Sequence, residues 1–556
     1  MNEEEYKDYV ETFLNGIRDA GLPQKYEKPV FKDFMVTMND GTMLKTFAFL
    51  PDKNGSWPTI VQRGPYAEQA PLNKIIGQEV AKLGFAYVFQ FCRGIGGSEG
   101  VWEPRVNERK DGLDFVNWLN DQDWVASMGF YGTSYLALTG WAIADQVPAK
   151  MKTMYLSNYG MHNDISNFEA GLTKPDILTG WAMDNAGFKV DADFMASAKH
   201  LPQYTVDVDL WGKQIDWYRD VLKSPKSSDH YWSTGAVAEL ARIPSRVKIP
   251  LFVSDSWYDH HFENAMTTFE QLPEATRQQS VLQIGAWNHF MEKAVFGRPT
   301  NQLLRSEMTA MLDWFNKILI KQEQPIGKML TYEVGSDEWH ETNWSTRTNS
   351  QKMTWFLDFS NHVSKLSHNV PQASGQVSYI YDPSDPVESM GGEALLHTLA
   401  KGGSQEQLPI DNRPDIISFV SQPLLKDTHL NGVIDVNLNV ASTAKDTEFV
   451  VKISSVLPNG KTYNIRTQAT TIAANTDNYV PKSVTKINLQ TWPISYFLPK
   501  GSRIRLDITS SDFPQFQIHT NYPGNQSLQS EMQVAKQTIV SDSDNVSSIT
   551  INTTKS

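Results

Sequence analysis

The sequence predicts an α/β domain on a mostly parallel sheet, broken by an inserted helical cap and followed by a second domain that is all β. Three observations predict it. Short apolar runs alternate with helical patterns through residue 147, as they do when parallel strands are covered on both faces. That alternation fails across 148–245 and resumes over 246–350. From 351 to 556, β-branched runs alternate with Asn-Gly, Lys-Gly and Pro-rich turns, which reads as a sandwich. A chain of 556 residues, 40% of them hydrophobic, also exceeds what one core of roughly 100–200 residues accommodates.

The elements follow in order. An acidic amphipathic helix opens the chain, and VFKDFMVTMNDGTMLKTFAFLP then places two apolar-rich runs around Asn39-Asp40-Gly41. That is a hairpin signal, because glycine accepts a positive φ cheaply. A strand is expected at Thr59–Gln62, a helix around Asn73–Leu83, and a strand at Phe85–Phe91. Asn107–Asn120 puts Leu113, Val116, Trp118 and Leu119 largely on one helical face, and Met128–Tyr131 reads as the next strand. The segment 148–245 is rich in Trp, Tyr, Met and Asp and reads as helical. Strands resume at Val247–Ser254 and Ser280–Gly285, and a helix at Glu307–Ile320 closes the domain. In the last domain VIDVNLNV, EFVVKISSVLPNGKTYNI and SRIRLDITSS are strand text, and the polar end SDSDNVSSITINTTKS reads as a terminal strand or a frayed tail.

Composition excludes several roles. A formal charge of −13 without a basic stripe gives no electrostatic footprint for nucleic acid. No run approaches the roughly 18 apolar residues of a membrane span, and the acidic start does not read as a secretory signal. The lone cysteine, Cys92, excludes an intrachain disulfide framework and fits a cytoplasmic setting.

The chemistry concentrates at three points. Gly132-Thr133-Ser134-Tyr135-Leu136-Ala137 sets a serine where an apolar strand ends and a helical stretch begins, the context of a nucleophile elbow. The turn must be sharp to lift the hydroxyl off the sheet, and the helix then aims its first amides at charge developing on a substrate. Downstream, one strand runs into Asp255-Ser256-Trp257-Tyr258-Asp259 and a later one into Ala286-Trp287-Asn288-His289. An α/β-hydrolase supplies its acid and then its histidine in that order. Ser134 is thus the candidate nucleophile, His289 its base and Asp259 the orienting acid, with Asp255 an alternative acid. Asp259, His260 and His261 also read as a solvated loop or a metal site, although no H-E-x-x-H pair supplies further ligands. No metal or cofactor is called for.

These motifs resemble the cocaine esterase-like and X-prolyl dipeptidyl peptidase-like serine hydrolases, which include the α-amino acid ester hydrolases. The elbow is similar to that family's G-x-S-Y-x-G, with Ala137 for the last glycine. Trp257-Tyr258-Asp259 resembles its W-Y-D, and Gly285-Ala286-Trp287-Asn288-His289 its G-P-W-x-H. Arg63-Gly64-Pro65-Tyr66 resembles its R-x-P-Y, which implies an oxyanion hole made by the Tyr66 hydroxyl and the Tyr135 amide. Arg93-Gly94-Ile95-Gly96-Gly97-Ser98-Glu99-Gly100 resembles R-G-x-G-x-S-x-G, a loop beside the active site, but Phe91 stands where the family has an aspartate. Tyr381-Asp382-Pro383 with Gly391-Gly392, and Ser511–Phe516, resemble its C-terminal jelly roll.

The resemblance implies an acyl hydrolase acting on a small ester, amide or short peptide, and it leaves a homo-oligomer open. A carboxylic ester or amide is the preferred substrate. Release of an X-proline dipeptide and hydrolysis of an α-amino ester are the alternatives, followed by a silent binding protein on this fold. Members that grip a free amine need carboxylates near the nucleophile. After Asp259 this chain instead has His260, His261 and Phe262, which leaves Asp164 and Glu169 in the cap as the candidate amine contacts.

Overall fold

The structure is a computed structural model; it describes residues 3–303, 306–342, 350–359, 364–371, 374–410 and 412–554. The first sheet has ten strands: β1 Val30–Thr37, β2 Met43–Leu50, β3 Trp57–Gly64, β4 Ala86–Phe91, β5 Val125–Thr133, β6 Met151–Ser157, β7 Leu251–Ser256, β8 Val281–Gly285, β9 Lys328–Glu333 and β10 Glu338–Thr342. Their order is β1-β2-β4-β3-β5-β6-β7-β8-β9-β10. Pairing is parallel from β4 through β9 and antiparallel at both ends. The expected hairpin forms, with Thr37 opposite Met43 and Gly41 at φ 86° in the turn.

The central strands are buried on both faces, which is why they read as continuous apolar runs. Their side chains part with period two. Ile60, Tyr87, Tyr131, Tyr155 and Phe252 face one core, shared with α1 (Glu3–Asp19), α2 (Ala70–Lys82) and a later helix, Glu307–Phe315. Val61, Val88, Phe130, Leu156 and Val253 face the other, shared with α3 (Glu108–Asn120) and α4 (Tyr135–Trp141) through Phe115, Val116, Leu138 and Trp141. Each such side chain contributes about 1.5–3 kcal/mol by leaving water.

The sheet exceeds the sequence reading in two places. Strand β6 lies inside the stretch read as cap: MKTMYLS offers no alternation and no Val or Ile, yet it fills the slot between β5 and β7. The helical insertion therefore starts after Ser157, not at 148. Beyond the helix Glu307–Phe315, β9 and β10 continue the sheet rather than ending it; β10 is a half-exposed polar edge and carries little apolar signal.

The insertion contains the helices Pro175–Asp184, Phe194–Lys199, Asp216–Leu222 and Gly235–Arg242, with a small core around Trp211, Tyr218, Leu222 and Trp232. The division expected between 350 and 351 borders residues 343–349, outside the described residues. From Ser350 to Thr554 the described chain forms a twelve-stranded, almost wholly antiparallel sheet. The tail is a strand, Ser548–Thr554, paired with both Ser350–Asp358 and Thr428–Ser442. The two jelly-roll motifs meet there, since Phe513 donates to Val387 and Ser389 donates to Phe513. His397 fastens this domain to the insertion through Asp176 and Asp184, and Gly180 makes room for its ring.

Candidate active site

The elbow forms as its sequence requires. Ser134 sits between β5 and α4 at φ 57°, ψ −130°, a strained conformation for a residue with a side chain. Its amide donates to Ser157 O at 3.0 Å, and its carbonyl accepts from Ala137 and Leu138. A Cβ on Gly132 would lie 2.3 Å from Leu136 O, so glycine there is a condition of the strand and helix approaching each other. Ala137 is fully buried and fits, so the glycine usual at that place is not needed here. Behind the turn, the carboxylate of Glu307 accepts from Thr133 Oγ1 at 2.9 Å and from Ser157 Oγ.

Two loops deliver the partners. His289 Nε2 lies 2.9 Å from Ser134 Oγ, and His289 Nδ1 lies 2.6 Å from Asp259 Oδ2. The other oxygen of Asp259 accepts from the His261 amide at 2.7 Å. Burial opposes a charge on Asp259, which is 0% exposed, but His289 and the His261 amide outweigh burial and hold the carboxyl below its usual range. The acid and histidine loops are zipped together by Ser256 Oγ, which donates to Trp287 O and accepts from Trp287 N. Asn158 holds the His289 carbonyl at 2.9 Å.

Asp255, the alternative acid, is the penultimate residue of β7. One of its oxygens accepts from Ser256 N at 2.7 Å, and the other is buried without a partner. Burial and then the charge of Asp259 push its carboxyl well up, so it is held protonated. His260 and His261 are buried and kept neutral, first by burial and then by neighbouring cations. Asp259, His260 and His289 bring ligand atoms within 4.8 Å of one another, the one grouping among the described residues that could hold a metal. Two of those three already hydrogen-bond to each other, and one of them to Ser134.

Tyr66 lies two residues beyond β3, and its hydroxyl accepts from Trp181 Nε1 of the insertion at 3.4 Å. Burial raises its pKa, which keeps the hydroxyl protonated and able to donate. Tyr135 is the first residue of α4, so its amide has no partner within the helix. Its side chain points away: Tyr135 Oη donates to Glu108 Oε1 at 2.6 Å, while its ring stacks on Trp181 at 5.9 Å. Arg93 finds a carboxylate despite Phe91, binding Asp111 at 2.6 Å and Asp40 at 2.9 Å.

The two amine-contact candidates part company. Asp164 is half-buried in the short helix Asn163–Asn167. Glu169 accepts from Gln468 at 2.5 Å and lies 3.7 Å from Lys174 Nζ, so a cation of the protein already opposes it. Beside it, Glu263 is pushed up to about 7 by burial and by Glu169. Sequence reasoning missed Glu307, Glu108 and Trp181. Each is remote in the chain from the motif it serves, and no short pattern announces it.

An α/β-hydrolase sheet with a serine, histidine and carboxylate hydrogen-bonded in line at the strand ends defines the class: a serine-hydrolase-type enzyme. The comparisons name the family. Residues 40–291 match the X-Pro dipeptidyl-peptidase (S15 family) and residues 317–550 the X-Pro dipeptidyl-peptidase C-terminal non-catalytic domain. The chain belongs to this family of hydrolases, together with the cocaine esterase-like enzymes. The cocaine esterase of Rhodococcus sp. (strain MB1 Bresler) is 24% identical over 539 residues, covering 89% of this chain and 93% of that one. An aminopeptidase from the marine sediment archaeon Thaumarchaeota archaeon superposes with a TM-score of 0.78 at 17% identity, over 96% of this chain and 98% of its own. An α-amino acid ester hydrolase gives 0.78 at 18% identity, over 96% and 97%. A CocE/NonD family hydrolase from Staphylococcus aureus gives 0.66 at 16%, over 95% and 94%. At these identities the solved structures speak for the fold. Among the described residues no helix is long and apolar enough to cross a membrane.

Proposed function

We propose that this enzyme hydrolyses a carboxylic ester or amide through an acyl-enzyme on Ser134. The observation that carries the reading is the continuous hydrogen-bonded chain Ser134–His289–Asp259. Ser134 Oγ attacks the substrate carbonyl carbon as its proton passes to His289 Nε2, and Asp259 holds the imidazole tautomer and faces the imidazolium. The oxyanion is received by the Tyr66 hydroxyl and the Tyr135 amide. The bond to the leaving group breaks as His289 returns the proton to it. Water, deprotonated by His289, then attacks the acyl carbon and frees the acid and Ser134.

The preference for substrates without a free amine rests on charge. Lys174 opposes Glu169, and Arg466 stands 3.7 Å from Glu393, so two of the three carboxylates in this cluster face cations of the protein. A desolvated ammonium needs an uncommitted carboxylate, and in this cluster only Glu263 remains, itself pushed up to about 7 by burial and by Glu169. The test is hydrolysis of a short-chain nitrophenyl ester beside a glycyl-proline anilide, with Ser134→Ala in both assays. Ester cleavage lost in the variant, with the anilide untouched, is the expected result. Comparable anilide turnover would make the enzyme a dipeptidyl peptidase, and ester cleavage surviving in Ser134→Ala would overturn the proposal.

A further inference from the structure

Four arginines are buried among the described residues: Arg63, Arg105, Arg466 and Arg505. Three of them have a carboxylate within ion-pair distance. Arg63 lies 3.4 Å from Asp111, Arg466 3.7 Å from Glu393 and Arg505 2.8 Å from Asp507. Arg105, only 4% exposed, is the exception, because no ion pair with a carboxylate reaches it among the described residues. Its Nη1 donates to Tyr231 Oη at 3.3 Å, its Nε is buried with no partner, and its Cζ lies 5.9 Å from the Trp181 ring. Glu108 is reached only through the Tyr135 hydroxyl, which donates to Glu108 and accepts from the Arg105 backbone amide at 2.7 Å. A buried cation left uncompensated is costly, and tyrosine hydroxyls and an indole face offset only part of that cost.

The surroundings of Arg105 are those of the candidate active site. The same Trp181 indole faces the guanidinium and donates its N–H to Tyr66, the candidate oxyanion donor. Trp181 also stacks on Tyr135, next in sequence to Ser134. The positive field of Arg105 contributes, after burial and His289, to keeping His261 neutral beside His289. The backbone of Arg105 is held at φ 74°, in the left-handed region unusual for a residue with a side chain.

We propose that Arg105 is the anion-recognising residue of the substrate pocket, and that the preferred substrate is an ester or amide bearing a carboxylate away from the scissile carbonyl. The inference rests on the serine-hydrolase reading above and adds the substrate class. Arginine suits the task, because its planar donors match a carboxylate in pairs and it keeps its charge when buried. A carboxylate on either side of the scissile bond has the right chemistry.

The test compares each charged ester with its neutral twin. On the acyl side, mono-nitrophenyl succinate, glutarate and adipate are set against their methyl esters. On the leaving-group side, 4-acetoxybenzoate is set against methyl 4-acetoxybenzoate. In the wild-type enzyme, kcat/KM for the charged member of one series is expected to exceed its twin by roughly 10- to 100-fold, the range for a hydrogen-bonded charge. The series that shows it locates the carboxylate. In Arg105→Gln the ratio falls to about one or below, whereas Arg105→Lys keeps part of it; a lesion that merely loosens the fold lowers both members together and leaves the ratio. Ser134-dependent hydrolysis with no charge preference in either series overturns the proposal, a result that needs no variant at Arg105. Where no ester turns over, fluorophosphonate labelling of Ser134 decides. Labelling slowed by glutarate or 4-hydroxybenzoate in wild type and not in Arg105→Gln supports the proposal, and labelling indifferent to both anions overturns it. A Ser134 that neither labels nor turns over sinks the serine-hydrolase reading itself.

Discussion

Asp259→Asn and Asp255→Asn form a paired perturbation that separates two carboxylates four residues apart with opposite expected outcomes. Asp259 Oδ2 lies 2.6 Å from His289 Nδ1, and its charge is held by His289 and the His261 amide against burial. An amide there removes the charge facing the imidazolium and favours the wrong tautomer, for which a loss of about 10⁴ in kcat, or about 5.5 kcal/mol of barrier, is expected. Asp255 is already held protonated by burial and by Asp259. Asparagine copies that neutral form in shape and charge, so kcat should change by no more than a few fold. Stability carries a second signature. A carboxyl whose folded pKa lies above its unfolded value of about 3.9 loses stability for the protein as pH rises beyond that value. Asp255→Asn should therefore be the more stable protein at neutral pH, with the advantage vanishing near pH 4. Steady-state and burst kinetics on a nitrophenyl ester, with thermal melts across pH, read both effects. A collapse of kcat in Asp255→Asn, or its survival in Asp259→Asn, would refute the assignment.

Tyr66→Phe removes the hydroxyl that Trp181 holds in place. A true oxyanion donor costs roughly 10²–10³ in kcat, and an unchanged rate would exclude Tyr66 from that role. His397 offers a pH test of how the insertion is fastened. Burial alone would lower its pKa, but Asp176 and Asp184 raise it to about 10. Its folded value thus lies above the unfolded one of about 6.5, so its contribution is complete below pH 6.5 and is lost as pH rises towards 10. His397→Ala should flatten the decline of the melting temperature over that window, and a parallel shift at every pH would assign His397 to packing alone.

The part of the site that lay open in the sequence is the part whose chemistry is local. An elbow needs glycine, serine and a helix start in one short run, and the acid and histidine must follow strand ends in a set order. Those needs are visible in Gly132–Ala137, Trp257–Asp259 and Gly285–His289. What stayed hidden depends on chain-distant packing. Strand β6 is defined by its slot between β5 and β7 rather than by its own pattern, and β10 is a polar edge. The sequence names Asp259 as the acid but leaves Asp255 open as an alternative, and the loop path after Ser256 is what brings Asp259 to His289. The opposition of Glu169 by Lys174, and the meeting of Arg105 with Tyr231 rather than with a carboxylate among the described residues, follow from how the insertion folds back on the sheet.

The same logic bears on the second domain, whose matching family is described as non-catalytic. Arg466, on its strand Thr462–Thr471, crosses to the first domain and donates to the carbonyl of Trp257 at 2.5 Å, two residues before Asp259. Its other terminal nitrogen donates to Pro493 O at 2.6 Å, and its Cζ lies 5.6 Å from the ring of Phe262. The acid loop is therefore gripped on one side by Ser256 and the histidine loop, and on the other by a buried guanidinium of the β domain. A displacement of about 1 Å at a reacting group can cost on the order of 10²-fold in rate. Arg466→Gln is therefore expected to lower kcat on a nitrophenyl ester while leaving KM nearly unchanged, and an unchanged kcat in the folded variant would refute a positioning role for Arg466. The guanidinium thus ties the β domain to the loop that carries Asp259, and a kcat loss in Arg466→Gln would give that tie a physical reason in the alignment of Asp259 with His289.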